Sequence, residues 1–297
     1  MRYMKLIVKF ERINMPVTSP AGLSPAKLPP EEAALAIFNG EPCSHRLTRQ
    51  AVQTRDGSRY QLFVATPMEV IAGSARPVLY MLDGNAAFDA LTPGLLAAVP
   101  NLSIVGVGYD TNLRFDRPSR SRDYTPPRDA SDPKPDPQRP ERLVGGASLF
   151  VARLINELVP YAEAELSFHA TTRSIWGHSL AGMCVLHTLF TRPGVFNRYI
   201  AVSPSLWWED RLLLRREEEI AADQLGTADL LIMLGDSERR SSPEGPHWDG
   251  PAPHTLEMIE RLSQRPGISV SHEIFAGAGH AATLPASLAP ALAFAAR

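Results

Sequence analysis

The chain reads as an α/β domain: a mostly parallel sheet covered by helices on both faces and preceded by an antiparallel hairpin. Three observations predict this. From residue 78 to the C-terminus, short apolar runs alternate with helical patterns, as in strands joined by crossover helices. Upstream, two alternating runs flank Asp56-Gly57, a turn dipeptide that joins antiparallel strands. In the middle, an apolar run from Thr172 to Trp176 enters Gly177-His178-Ser179 and a helix of small apolar residues follows.

In order, residues 1–45 form an irregular arm, Pro-, Ser- and Ala-rich over 16–30, and 46–297 form a single domain. The hairpin runs Leu47 to Thr54 and Ser58 to Thr66. Val78 to Leu82 and Leu102 to Val107 are continuous apolar runs, as expected of strands buried on both faces. The stretch 108–142 is dense in Pro, Arg and Asp without apolar periodicity, and reads as a long functional or disordered loop or lid. A helix from Ala147 to about Glu165 follows, which Pro160 should kink or split. Strands are then expected at Arg173–Trp176, Arg198–Val202, Leu230–Leu234 and Ser269–Phe275. Helices are expected at Ala181–Phe190, Glu209–Ala222, His254–Gln264 and Leu284–Ala295.

At 297 residues the chain can bury a full core, and a formal net charge of −2 gives no mark of a nucleic-acid or acidic-membrane binder. No run is apolar enough to span a bilayer, and Lys9, Glu11 and Arg12 interrupt the N-terminal apolar patch, which favours a cytoplasmic protein. Cys43 and Cys184 have no metal-ligand spacing and no case for a disulfide, and Cys184 is expected to be a buried apolar residue. No metal cluster and no phosphate loop is recognisable, so no cofactor is expected. The oligomeric state is not legible.

The strand, Gly-x-Ser turn and helix at 172–190 form a nucleophile elbow, in which a sharp turn lifts a serine Oγ clear of the backbone. The fifth place of the usual motif is Ala181, with Gly182 next, a tolerated variant. A serine hydroxyl needs a base. In the α/β-hydrolase arrangement the order along the chain is Ser, acid, His. His280, in Ala276-Gly277-Ala278-Gly279-His280 after the last strand, fits the base. His178 reads as local packing; His45, His169, His187, His247, His254 and His272 fit no catalytic slot. The acid belongs after Leu234, where Asp236 and Glu238 both qualify and spacing does not choose between them. Oxyanion donors are expected from the Leu180 N–H and from the Gly84 or Asn85 N–H after the strand 78–82.

Together, Leu82-Asp83-Gly84-Asn85, Asp123-Tyr124-Thr125-Pro126-Pro127, Gly145-Gly146-Ala147, the elbow, Ser203-Pro204-Ser205-Leu206-Trp207-Trp208 and Gly279-His280 resemble the esterase-D-like α/β-hydrolases, specifically their ferri-siderophore esterase branch. The resemblance implies Ser179 as nucleophile, His280 as base and Glu238 as acid, although some siderophore esterases manage with a Ser/His dyad. It implies a small-molecule ester substrate of the siderophore class, ferric siderophores included, with any iron arriving as cargo. Arg114, Arg117 and Arg120 then read either as an anion-binding lid or as a solvated, salt-laced loop. Trp207 and Trp208 read either as stacking platforms or as packing at the sheet edge. Two other readings remain: a general carboxylesterase, thioesterase or acyltransferase, and a non-catalytic ligand binder that keeps the scaffold.

Overall fold

A computed structural model describes residues 31–40, 43–69, 76–165, 170–221, 223–240 and 248–297. The Pro-rich 16–30 segment, His169 and His247 lie outside the described residues.

The described end of the N-terminal arm is docked onto the domain. Glu32 bridges to Leu113, the Leu35 N–H donates to Asp89, and a 3-10 turn over Ala36–Phe38 buries Ile37. The expected hairpin follows as β1 (His45–Gln53) and β2 (Arg59–Pro67), in register from His45↔Pro67 to Gln53↔Arg59.

Next come β3 (Pro77–Leu82), α1 (Gly84–Ala90), α2 (Pro93–Ala97) and β4 (Ser103–Tyr109). All residues of β3 and β4 are buried, as apolar runs covered on both faces must be. α1 starts hard against β4. A Cβ on Gly84 would lie 2.7–2.8 Å from the backbone of Gly106, Val107 and Gly108, with no side chain there to yield. Gly84→Ala is expected to cost about 1–3 kcal/mol by overpacking. Thermal melting checks it, and an unchanged midpoint would contradict the close approach.

The stretch 108–142 corrects the expectation of an irregular loop. It contains α3 (Arg117–Tyr124) and a hairpin of β5 (Lys134–Asp136) with β6 (Arg139–Val144). α3 is capped by Asp116, whose carboxylate accepts from the Ser119 N–H at 3.0 Å. It is two turns of mostly polar residues, so no apolar stripe announces it. Specific contacts hold it: fully buried Asp123 accepts from the hydroxyls of Tyr60 (3.0 Å) and Tyr109 (3.4 Å) and from Arg122 (2.7 Å).

α4 (Ala147–Arg153) continues through a π turn over Leu154–Leu158 into α5 (Val159–Glu165). The helix is therefore neither split nor ended at Pro160. The ring would clash with the carbonyl four residues back, and widening the preceding turn removes that clash.

The second half alternates strand and helix: β7 (Thr172–His178), α6 (Leu180–Thr191), β8 (Arg198–Val202), α7 (Trp208–Glu218), β9 (Ala228–Gly235), the short β10 (Arg239–Arg240) and β11 (Trp248–Asp249), α8 (Pro253–Ser263), β12 (Ile268–Phe275), α9 (Thr283–Ala286) and α10 (Leu288–Ala295). Within α7, Glu209, Asp210 and Arg211 have positive φ (46–61°), so its regular part begins later than expected.

The main sheet has eight strands in the order β1-β2-β4-β3-β7-β8-β9-β12, with β1, β2 and β4 joined antiparallel and all later neighbours parallel. Core clusters fill both faces. The carboxyl ends of β3, β7, β8 and β9 thus share one rim, the place where open α/β sheets bind ligands.

Candidate active site

The elbow is built by close backbone packing. A Cβ on Gly177 would sit 2.5 Å from the Ala181 carbonyl carbon and oxygen, and one on Gly182 would sit 2.9 Å from the carbonyl oxygens of Gly177 and Val202. The tight crossing against β8 thus falls on Gly182. Ala181 stands where its own methyl does no harm, which explains the departure from the usual motif. Ser179 takes the strained turn conformation, φ 63° and ψ −119°, and its N–H donates to the Val202 carbonyl at 2.9 Å.

Ser179 Oγ lies 3.0 Å from His280 Nε2, and His280 Nδ1 lies 3.4 Å from Glu238 Oε2. These residues stand after β7, β12 and β9, so three loops meet at one rim. Glu238 is 3% exposed. Its other oxygen, Oε1, accepts from the Gly235 N–H (3.0 Å) and from Ser203 Oγ (2.5 Å). Burial alone would raise the carboxyl's pKa. Hydrogen bonds from His280, Gly235 and Ser203, with the attraction of His280, hold it below the ordinary value. Asp236, the other carboxylate considered, is tied elsewhere: its Oδ1 accepts from the Gly277 N–H (2.7 Å) and the Ser237 hydroxyl (2.8 Å). The geometry brings Glu238 to the imidazole and leaves Asp236 shaping the loop that carries it.

Beside Ser179, the register Met81↔Trp176 sets the ends of β3 and β7 side by side. α6 and α1 therefore begin next to each other. Leu180 N–H is the first amide of α6, and first-turn amides have no acceptor within their own helix. In α1, Ala86 and Ala87 N–H both donate to the Asp83 carbonyl, which leaves the Gly84 and Asn85 amides as the first-turn donors. The Asn85 side chain has another task. It accepts from Tyr109 N–H (2.9 Å) and donates to the carbonyls of Tyr109 (3.2 Å) and Thr111 (3.0 Å), latching α1 to the end of β4.

Of the two readings of the loop arginines, the structure favours the salt-laced one for Arg114 and Arg120. Arg120 grips Asp83, donating from Nε at 3.0 Å and from Nη2 at 2.7 Å, and so anchors α3 over the end of β3. Arg114 pairs with Asp89 (2.9 Å) and Glu31 (3.2 Å), pinning the arm. Both guanidiniums are paired with carboxylates outside the loop itself. Arg117 is exposed at the start of α3. Trp208 is buried in the core and half-buried Trp207 packs against the same cluster, which favours packing over stacking for the pair. Cys184 is buried and both cysteines are free.

Sequence reasoning missed a buried polar layer behind Ser179 and His280. His178 Nε2 lies 2.9 Å from the His280 carbonyl and 3.1 Å from Thr283 Oγ1. Thr283 Oγ1 donates to the same carbonyl at 2.7 Å and lies 2.8 Å from Ser203 Oγ. The residue next to Ser179 thus holds the backbone of His280. Ser203 and Ser205 had a signal, since they follow β8 at the functional rim. Thr283 had none.

Burial pushes His178 down to about 3, with the neighbouring His280 adding to the effect, and burial does the same to His187. Both pKa values lie below the unfolded 6.5, so the stability they contribute is full above about pH 6.5 and is lost as pH falls toward 3. Unfolding free energy is expected to drop by about 3–4 kcal/mol from pH 7 to pH 5, at about 2 kcal/mol per histidine. Urea titrations at the two pH values measure it, and equal midpoints would mean that the two imidazoles are not buried neutral.

Residues 54–243 match the family described as "Putative esterase". The chain is 30% identical over 263 residues to the ferri-bacillibactin esterase BesA of Bacillus subtilis, covering 83% of this chain and 88% of that protein. It is 33% identical over 244 residues to the apo-salmochelin esterase of Escherichia coli O6:H1, covering 80% and 75% respectively. The solved structure of the enterobactin and salmochelin hydrolase IroE superposes with a TM-score of 0.71 at 29% identity, over 88% of this chain and 98% of that one. A strand-held serine within reach of an imidazole on an eight-stranded α/β sheet, matched over most of its length to such enzymes, places the chain in the α/β-hydrolase esterase family, in its siderophore esterase branch.

Proposed function

We propose that the protein hydrolyses the ester backbone of a siderophore, ferric or iron-free, with Ser179 as nucleophile, His280 as general base and acid, and Glu238 as the acid that orients the imidazole. The carrying observation is the line from Glu238 through His280 to Ser179 Oγ, with contacts of 3.4 Å and 3.0 Å. Glu238 accepts from Nδ1–H and so leaves Nε2 unprotonated, free to take the serine proton as Oγ attacks the ester carbonyl. The Leu180 amide and the Gly84 or Asn85 amide serve the tetrahedral oxyanion. His280 then protonates the departing alkoxide and later activates water against the acyl-enzyme. Cutting the ester backbone removes the preorganisation that holds iron. Iron is cargo in this reading. The two free cysteines agree with a reducing compartment, and the proposal places the reaction in the cytoplasm.

The relatives' names divide between a ferric and an apo substrate, so the test must carry both. Ferric and iron-free catecholate triesters are offered beside short p-nitrophenyl esters, with fluorophosphonate labelling of Ser179 in parallel. Higher kcat/KM on a triester than on the p-nitrophenyl esters supports the proposal. Labelling with turnover of the short esters alone would reduce it to a general esterase. Ligand binding without labelling would make the protein a binder.

A further inference from the structure

The turn after β8 sets a second hydroxyl against the nucleophile. Ser205 is 2% exposed, its N–H donates to the Ser179 carbonyl at 3.2 Å, and its Oγ lies 3.2 Å from Ser179 Oγ. Among the described residues, Ser179 Oγ is the one hydrogen-bond partner of Ser205 Oγ. The direction of that bond follows from counting hydrogens. The Glu238 carboxylate only accepts, so His280 carries its hydrogen on Nδ1 and presents a lone pair at Nε2. Ser179 has one hydroxyl hydrogen and gives it to Nε2. Toward Ser205 it has only a lone pair, so Ser205 donates.

We propose that Ser205 is a further catalytic residue, a fixed hydroxyl donor to the nucleophile oxygen in both halves of ester hydrolysis; this rests on the serine esterase reading above. In the first half the Ser179 proton moves to Nε2 while the Oγ–carbon bond forms and the carbonyl π pair moves onto its oxygen. Negative charge builds on Oγ as its proton leaves, and the Ser205 O–H points at that charge without giving up its own proton. The tetrahedral adduct then expels the alcohol oxygen, which takes the proton from Nε2. In the second half, water bonds to the acyl carbon and gives a proton to Nε2. Collapse breaks the carbon–Oγ bond, the electron pair returns to Oγ, and Nε2 reprotonates it. Oγ is now the leaving group, and the same donor meets the same charge.

The length of the bond suits this role. O–H···O bonds to neutral acceptors centre near 2.7–2.8 Å, and bonds to anionic oxygen are shorter and stronger. A donor resting at 3.2 Å gains little in the ground state and more as charge develops. That difference is what accelerates a chemical step. The backbone bond from Ser205 N–H to the Ser179 carbonyl holds the turn against the elbow, so the donor needs no rearrangement to act.

The test compares wild type, Ser205→Ala, Ser205→Cys and Ser179→Ala on an ester substrate, with the second-order rate of fluorophosphonate labelling as a direct reading of Oγ attack. Ser205→Ala is expected to lower kcat by about 10- to 100-fold, below the loss for an oxyanion donor, and to slow labelling by a similar factor. KM should stay within about twofold, as for a group that acts in the transition state. Ser205→Cys, close in size and a weaker donor, should fall between, and both variants should melt with the wild type. Wild-type labelling and turnover in Ser205→Ala would overturn the proposal, and faster labelling would show that Ser179 donates to Ser205 at rest. If Ser205→Ala does not fold, Ser205→Cys decides alone by the same labelling rate. Activity surviving in Ser179→Ala would instead bring down the esterase reading, so the two failures are told apart.

Discussion

Ser179→Ala and His280→Ala are each expected to lose at least about a thousandfold in turnover, and the double variant little more, because the two groups act as one unit. The contact that makes them a unit is the 3.0 Å approach of Nε2 to Oγ. Without the imidazole the hydroxyl keeps its proton; without the hydroxyl the imidazole has nothing to activate but water. Neither change should cost much stability. The His280 side chain is 42% exposed, and Ser179→Ala removes one oxygen from an open rim. Kinetics on an ester substrate and a melting curve for each variant make the check. Losses that multiplied in the double variant would show that the residues work independently and would overturn the coupling inferred from the 3.0 Å contact.

Glu238→Gln is expected to give the next largest effect, about a hundredfold to a thousandfold in kcat. Gly235 N–H and Ser203 Oγ both donate to one oxygen of the carboxylate, so they orient the new amide with its carbonyl toward them. The NH2 then faces His280 Nδ1. A donor there selects the tautomer with hydrogen on Nε2, which cannot take the serine proton. The effect should stay below that of Ser179→Ala, because the Glu238–His280 contact is long at 3.4 Å. Asp236→Asn should change kcat by less than about threefold, since its carboxylate serves the Gly277 amide instead. A silent Glu238→Gln beside a damaging Asp236→Asn would move the acid to Asp236 and leave the serine mechanism standing.

Ser179 and His280 were legible because each sits in a local pattern: an apolar strand before a Gly-x-Ser turn, and a small-residue loop after the last strand. The hairpin about Asp56-Gly57 and the alternation behind the parallel sheet were legible for the same reason, since periodicity and turn chemistry are properties of neighbouring residues. The 108–142 insert was not. α3 is stabilised by Asp123 beneath two tyrosines and by Arg120 on Asp83, contacts that leave no periodic trace. For Arg114 and Arg120 the choice between an anion-binding lid and a salt-laced loop stayed open because charge counting along a loop cannot say which carboxylate folds back onto it; their pairs with Asp89, Glu31 and Asp83 favour the second.

By itself, then, the sequence determined the fold class and singled out Ser179 and His280 as the candidate nucleophile and base. The tertiary structure decided between Asp236 and Glu238, which spacing left open, and it alone shows that His178 and Thr283 hold His280 by its carbonyl and that a second hydroxyl stands beside Ser179 Oγ. The physical reason is range: strand and turn signals are written within a few residues, whereas the Ser179–Ser205, Glu238–His280 and His178–His280 contacts join residues 26 to 102 positions apart that only the closed sheet brings to one rim.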